Sequence, residues 1–353
     1  MLSPKSVAVL AGAGSAKTQM ILDLVMQSPE RSALITTYTT ENLAQISERL
    51  KAQNGGVLPA NVTIMSWFSL LVNHAVRPYQ RAVFGKPNFI AAFNFKGQKQ
   101  RFTQKSDPGR YFLDGNHDVF RDAAADLACE VESKSGGLVT KRLARMFDDI
   151  YIDELQDLAG YDLVFLEMLL KSDVKVTAVG DSRQQTFVTN MSRKNKAYKG
   201  DGLANWILAR QNICRLEYRN ECYRSNQEIC DFADGLYPDH PKTISKNQEV
   251  TGHDGVFMVA PDDVATYYEK YDPVVLRYRR GTDTMGLPAK NFGVSKGSTY
   301  DRTLIFCTKP MLQYLKKREV ERVTSKEKFC VAVTRARYSV AFVVPGSSSS
   351  PLK

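Results

Sequence analysis

Two sets of residues in this chain have the types and spacing of phosphate chemistry. Gly12-Ala13-Gly14-Ser15-Ala16-Lys17-Thr18 follows a short apolar run, Ser6 to Leu10. It precedes QMILDLVMQ, whose Met20, Ile21, Leu24 and Val25 have helical spacing. A glycine loop between a strand and a helix is the context of a phosphate-binding loop, because backbone N–H groups and the helix N-terminus can cradle phosphate oxygens. Lys17 would neutralise the β- and γ-phosphates of ATP, and the Thr18 hydroxyl would ligate Mg²⁺. The second set is Asp153-Glu154, which closes an apolar run ending Tyr151-Ile152. Asp153 would hold Mg²⁺, directly or through water, and Glu154 would accept a proton from the attacking water. Alone, each set has a bland reading, a flexible glycine turn or an exposed strand end. Together they form the two halves of one ATP site.

Elements of a parallel α/β sheet must position these residues. SVAVL, SALITT and Val62 to Met65 read as buried-type strands, with helices at QMILDLVMQ and ENLAQISERL. The strand pattern resumes at DDIYIDE and VKVTAVGD, both ending in acidic residues. Between them, residues 80–140 lack this rhythm. There FNFKGQKQRFTQKSDPGRYF interleaves Phe93, Phe95, Phe102, Tyr111 and Phe112 with Lys96, Lys99, Arg101, Lys105 and Arg110. This stretch reads as an insertion, either a duplex-binding element or a mobile loop. A second α/β pattern starts near 213 with NICRLEY, continues through a helix at NQEICDFADGLY, and runs on through VFMV, VVLRY, TLIFCT and VAFVV. The fold class expected from this pattern is α/β with two parallel-sheet domains. Residues 1–212 form the first domain, interrupted near 80–140, and 213–345 the second. The tail 346–353, GSSSSPLK at its end, reads as disordered.

Composition narrows the function classes. The chain has 353 residues and no apolar run of the roughly 18 needed to span a membrane. Its start lacks the charged segment, long apolar stretch and cleavage site of a secretory signal. The expectation is a cytoplasmic protein without a membrane partner, from a bacterium or from a phage in its host. Lys+Arg 48 against Asp+Glu 38 gives +10, a balance suited to a polyanion. The six cysteines form no CxxC pair and read as reduced, mostly buried thiols, with a cluster of Cys214, Cys222 and Cys230 as the metal-binding alternative. The four histidines are scattered and form no HExxH, which argues against a metal hydrolase.

The order of motifs resembles that of superfamily 1 helicases of the UvrD/Rep type, along nearly the whole chain. Ile152-Asp153-Glu154-Leu155-Gln156-Asp157 is similar to that family's IDExQD box, and Val179-Gly180-Asp181-Ser182-Arg183-Gln184 to its GDxxQ box. Tyr223-Arg224-Ser225 resembles the NYRS box, Ser295-Lys296-Gly297-Ser298-Thr299-Tyr300-Asp301 the SKGLEFD box, and Val331-Ala332-Val333-Thr334-Arg335-Ala336-Arg337 the VALTRA box. Thr36-Thr37-Tyr38-Thr39 and Thr63-Ile64-Met65-Ser66-Trp67 resemble the strand-contacting boxes of the first domain. The resemblance implies two RecA-like domains with the ATP site in the cleft between them. It also implies that Gln184 senses the γ-phosphate, that Tyr223 stacks on adenine, that Arg224 reaches the γ-phosphate and that Arg335, after a VAV strand, is the arginine finger. The resulting ATP-binding set is Gly12, Ala13, Gly14, Ser15, Ala16, Lys17, Thr18 and Tyr223. The catalytic set is Lys17, Asp153, Glu154, Gln184, Arg224 and Arg335, with Mg²⁺ on Thr18 and Asp153.

Tracking along a polynucleotide needs a basic groove and aromatic platforms. Thr37, Thr39, Ser66 and Lys296 are the candidates for backbone contacts, and Tyr38, Trp67 and Phe187 for base stacking. For Trp67 and Phe187 the competing reading is core packing, since aromatics are core residues first. Arg193, Lys194, Lys196 and Lys199 line a strand path or a solvated surface. The expected function is an ATP-dependent DNA translocase or helicase on single-stranded or partly duplex DNA, with the 3′-to-5′ travel implied by the resemblance. The expected setting is repair, recombination, replication or phage defence. Two rivals are a nucleotide-gated DNA-binding subunit beside a protein partner such as a nuclease, and an RNA helicase. The chain departs from the family's loop at Ala16, where the family has glycine. A methyl group there would crowd the β-phosphate. Ala16→Gly is then expected to raise ATP affinity or turnover while loosening the loop by about 0.5–1 kcal/mol.

Overall fold

The structure is a computed structural model that describes residues 4–87, 89–97, 102–186, 189–190, 192–200, 202–346 and 348–352. The chain forms two compact units. One comprises residues 1–10, 17–180 and 187–217; the other comprises 11–16, 181–186 and 218–353.

The first sheet uses β1 (Ser6–Ala11), β2 (Ala33–Thr37), β3 (Val62–Ser66), β6 (Asp149–Ile152), β7 (Lys175–Gly180) and β8 (Cys214–Arg219), in the order β3-β2-β6-β7-β1-β8. Two short strands, β4 (Phe93–Asn94) and β5 (Val119–Phe120), pair separately in parallel. In the main sheet β1 runs parallel to β7, β7 to β6, β6 to β2 and β2 to β3. Strands covered on both faces are apolar throughout rather than alternating. β1, SVAVLA, and β7, KVTAVG, approach this pattern, apolar but for Ser6, Lys175 and Thr177, and each has one residue that is not buried. The carboxyl ends of β1, β6 and β7 lead into the glycine loop, Asp153 and Asp181, where parallel sheets carry their ligands.

The second sheet has the order β13-β12-β14-β15-β11-β16. It is built from β11 (Gly255–Val259), β12 (Val274–Arg277), β13 (Ala289–Asn291), β14 (Tyr300–Phe306), β15 (Ala336–Val343) and β16 (Ser350–Pro351). A further short pair, β9 (Glu221–Cys222) and β10 (Ile244–Ser245), stands apart. Among the described residues the pairings of this sheet are parallel except that of β11 with β16.

Four sequence expectations change here. NICRLEY does not open the second α/β pattern; it is β8, the strand beside β1 in the first sheet. Residues 11–16 and 181–186 group with the second unit rather than the first, because their neighbours include Cys222, Tyr223 and Arg224. The 80–140 segment contributes core: Phe112 and Val119 are fully buried, and eight of the eleven residues of the helix Ala124–Lys134 are buried. Part of the tail read as disordered is strand, with Ser350 and Pro351 paired to Met258 and Phe257. Lys99 and Arg101 of the basic-aromatic stretch lie outside the described residues.

Candidate nucleotide and strand site

The glycine loop is shaped by what lies against it. The Ser15 hydroxyl donates to the Gly12 carbonyl at 2.7 Å and closes the turn. A Cβ at Gly12 would collide with the Arg183 guanidinium. Gly14 has φ +70°, and a Cβ there would meet the Arg224 Cβ at 2.7 Å and the Cys222 Sγ at 2.8 Å. The Gly14 carbonyl accepts the Tyr223 N–H at 2.8 Å, which ties the loop to the YRS box. Both glycines are therefore required, one by close approach and one also by its backbone. Ala13 and Ser15 are buried, and Ala16 is exposed.

Ala16 has φ +58°. The methyl group is thus a backbone matter before it is a phosphate matter, and the expected sign of Ala16→Gly on stability reverses. A left-handed conformation costs a residue with a Cβ roughly 1–2 kcal/mol. Glycine's extra freedom in the unfolded chain costs about 0.5–1 kcal/mol. The first term is larger, so Ala16→Gly should stabilise the protein by about 0.5–1 kcal/mol. The midpoint of a urea titration checks this: it should rise, and a fall would show that the loop holds Ala16 without strain.

In the first unit, Lys17 begins the helix Lys17–Met26, and Thr18 follows it. The Thr18 hydroxyl donates to Asp153 Oδ2 at 2.8 Å across 135 residues of sequence. Asp153 is 6% exposed. Burial, and then the neighbouring Glu154 carboxylate, push its carboxyl up to about 6, against the Thr18 hydroxyl and Lys17. A buried carboxylate destabilised in this way, with a hydroxyl beside it, is a donor set suited to a hard divalent cation, and Mg²⁺ fits it. Glu154 has φ +61°, a conformation that costs a non-glycine residue of order 1–3 kcal/mol and that clusters at functional sites. Its N–H donates to Asp153 Oδ1 at 2.9 Å, and its carboxylate accepts Gln156 Nε2. Gln156 thus orients the candidate base, a role that the box spacing alone does not disclose. Gly180 is needed beside it, since a Cβ would lie 2.7 Å from Gln156 Oε1.

In the second unit the remaining candidates converge. Gln184 Nε2 donates to Asp181 Oδ2 at 2.8 Å, and Gln184 Oε1 accepts Arg335 Nη2 at 2.9 Å. Arg335 is 2% exposed and also donates to the carbonyls of Val331 and Ser298, at 3.1 and 3.2 Å. The VAV run before it is not a strand but the end of the helix Lys326–Val333, whose last three residues are fully buried. Short apolar runs do not reveal their period. Arg224 donates to the Thr334 carbonyl at 3.0 Å, and burial lowers its pKa against the pull of Cys222 and Asp181. Tyr223 is 56% exposed, its hydroxyl donating to Glu221 Oε2 at 2.8 Å, so a ring face is open to stacking.

Sequence reasoning missed Arg183. It is buried, pairs with Asp181 at 3.2 Å and Asp234 at 2.8 Å, and packs on Gly12. Asp234 also accepts the Thr243 N–H and hydroxyl. No local pattern links residues 183, 234 and 243, so only the fold shows them as one support for the loop.

The strand-binding candidates divide. Thr37 and Ser66 end the paired strands β2 and β3, directly opposite each other in register. Thr39 and Ser66 are helix N-caps, accepting the N–H of Asn42 at 3.2 Å and of Ser69 at 3.1 Å. Thr37 is 1% exposed, its hydroxyl accepting Asn42 Nδ2 at 3.5 Å, so it is a buried support rather than a surface contact. Trp67 is corrected from platform to core. It is 1% exposed, its indole N–H donates to Asp162 Oδ1 at 2.7 Å, and its ring meets Phe165 edge-on. Tyr38 remains half-buried against Phe68. Lys296 is half-buried in the second unit. Phe187 lies outside the described residues. Among the described residues no group of three or more His, Cys, Asp or Glu is arranged to hold a metal, and all six cysteines are free thiols, five of them buried. No helix among the described residues is long and apolar enough to cross a membrane.

Comparison with known proteins agrees with the fold. Arterivirus nonstructural protein 10, a helicase, in complex with DNA is similar at a TM-score of 0.50 and 15% identity, over 96% of this chain and 60% of that one. A second structure of the arterivirus helicase gives 0.49 and 16%, over 96% and 59%. The PRRSV helicase gives 0.47 and 17%, over 99% and 55%. The chain therefore spans 55–60% of the length of these helicases. At such identities the likeness is one of fold, two RecA-like α/β domains. No curated protein matches the chain. Residues 1–190, more than half of the sequence, match the family model described as "AAA domain". The chain belongs to the AAA domain family, on a fold similar to that of the arterivirus helicase.

Proposed function

We propose that this protein hydrolyses ATP to move along single-stranded DNA and open duplex, as a superfamily 1 helicase of the UvrD/Rep type travelling 3′ to 5′. One observation carries the reading: Gln184 is hydrogen-bonded at once to Asp181 and to Arg335. A glutamine that touches both the carboxylate at the end of β7 and a buried arginine is placed to exchange one of those partners for a phosphate oxygen. Nucleotide state would then change the hydrogen bonding of residues around Gln184. Mg²⁺, when bound at Thr18 and Asp153, neutralises phosphate charge. Lys17 binds the phosphates, Glu154 takes the proton of the attacking water with Gln156 orienting it, and Arg335 stabilises the transferring group.

The net charge of +10 and the side chains at the carboxyl ends of β2 and β3 support a nucleic-acid partner. DNA over RNA, the pathway and a bacterial or phage cytoplasmic setting belong to this same proposal. The strained Ala16 favours a slow, switch-like ATPase as a second reading, with the chain gating a complex rather than driving it. Phosphate release with and without single-stranded DNA or RNA tests these alternatives. Strong stimulation by DNA supports the motor; equal slow release in every arm supports the switch; preference for RNA moves the substrate.

A further inference from the structure

The 80–140 segment places aromatic rings where the sheet ends. Tyr38 follows β2 and Phe68 follows β3, two strands paired in register up to Thr37 and Ser66. Their rings lie 5.4 Å apart. From the insertion, Phe93 and Phe95 join them. Phe68 meets Phe93 at 5.9 Å and Phe95 at 5.6 Å, both edge-on, and Phe93 lies 5.4 Å from Phe95. Burial falls steadily through this cluster: Phe68 is 6% exposed, Phe93 half-buried and Phe95 54% exposed. The outermost ring is therefore backed by aromatics and open on its other side.

Phe95 is also held in place. The Asn94 side chain accepts the N–H groups of Lys96 and Gly97, closing a turn around Phe95. Asn94 Nδ2 donates to Asp114 Oδ2 at 2.7 Å, which anchors that turn. A Cβ at Gly97 would collide with the Asn94 side chain, so glycine is needed there. The same turn exposes Lys96. Burial raises the pKa of the Tyr38 hydroxyl against the opposing charge of Arg121, a second cation near the cluster that pairs with Asp122 at 2.9 Å. Fixed aromatic faces beside cations, at the carboxyl ends of parallel strands, suit a polyanion that carries planar rings.

We propose that Phe95 is a base-stacking platform for a single nucleic-acid strand that passes the carboxyl ends of β2 and β3. It takes the role that the sequence suggested for Trp67, and it rests on the nucleic-acid reading above. The test is oligonucleotide binding by fluorescence anisotropy, using single-stranded DNA and the same strand with consecutive abasic positions. Stacking on an aromatic contributes roughly 5- to 150-fold in affinity per base. Phe95→Ala and Phe95→Leu should each weaken binding of the normal strand by that factor and change binding of the abasic strand less than twofold. Phe95→Trp should bind like wild type. Circular dichroism melts report whether each variant is folded, and Phe95→Leu keeps the apolar bulk that packs on Phe68. If wild type binds the strand and the leucine and tryptophan variants bind equally well, the platform is overturned while nucleic-acid binding stands. If wild type binds neither DNA nor RNA, both are overturned.

Discussion

Lys17→Ala and Glu154→Gln should each reduce ATP turnover by more than 100-fold, and only the first should lose nucleotide. Removing a general base costs typically 10²–10⁴-fold. Glu154 is held by Gln156 and by its own strained backbone, so the glutamine variant keeps the geometry. Its amide oxygen can still accept the Gln156 N–H, but it cannot take a proton from water. ATP should therefore bind with near wild-type affinity and remain uncleaved. Lys17 contributes a charge to the phosphates themselves. A hydrogen bond to a charged group contributes about 1.5–3 kcal/mol, so Lys17→Ala should weaken ATP binding by roughly 10- to 150-fold. Calorimetric titration with ATP and phosphate release under saturating nucleotide measure both effects. Near wild-type turnover in both variants would remove the ATPase reading.

Arg335→Ala should lower turnover by roughly 10³-fold or more, the scale of a charge placed on a transferring phosphoryl group, and leave nucleotide affinity within a few-fold. Arg335 is also structural: its removal takes donors from Gln184, Val331 and Ser298, about 1–3 kcal/mol for each buried acceptor left unpaired. Arg335→Lys separates the two roles. A lysine keeps a charge and refills part of the volume, but its single ammonium cannot reproduce the planar fork that spans Gln184 and Ser298. The lysine variant should therefore recover thermal stability and not turnover. A loss of less than tenfold in the folded alanine variant would show that Arg335 serves the fold alone.

The candidate site residues were legible where they sit at strand ends. β1, β6 and β7 are mostly apolar runs followed at once by Gly12, Asp153 and Asp181, so the run and its terminus read together. What the sequence hid is long-range or conformational. Trp67 carries the same sequence signal as an exposed aromatic, and only Asp162, 95 residues away, shows that its indole is buried. The Val331 to Val333 run is as compatible with a strand as with the helix that forms. Arg183 occupies a variable place in its box, yet Asp234 and Thr243 make it the support of Gly12. Ala16 looked like a steric question about phosphate, and its φ makes it a question of backbone strain. β8 looked like the start of a new pattern because chain order does not reveal which sheet edge a strand will cover.

We propose that ATP hydrolysis here is coupled to a nucleic-acid strand. It is tested most directly by steady-state phosphate release from the wild-type protein with ATP and Mg²⁺, measured against increasing single-stranded DNA. A coupled motor should show a saturable rise of tenfold or more, absent in Glu154→Gln. A rate that is measurable but unchanged at every DNA and RNA concentration would contradict it.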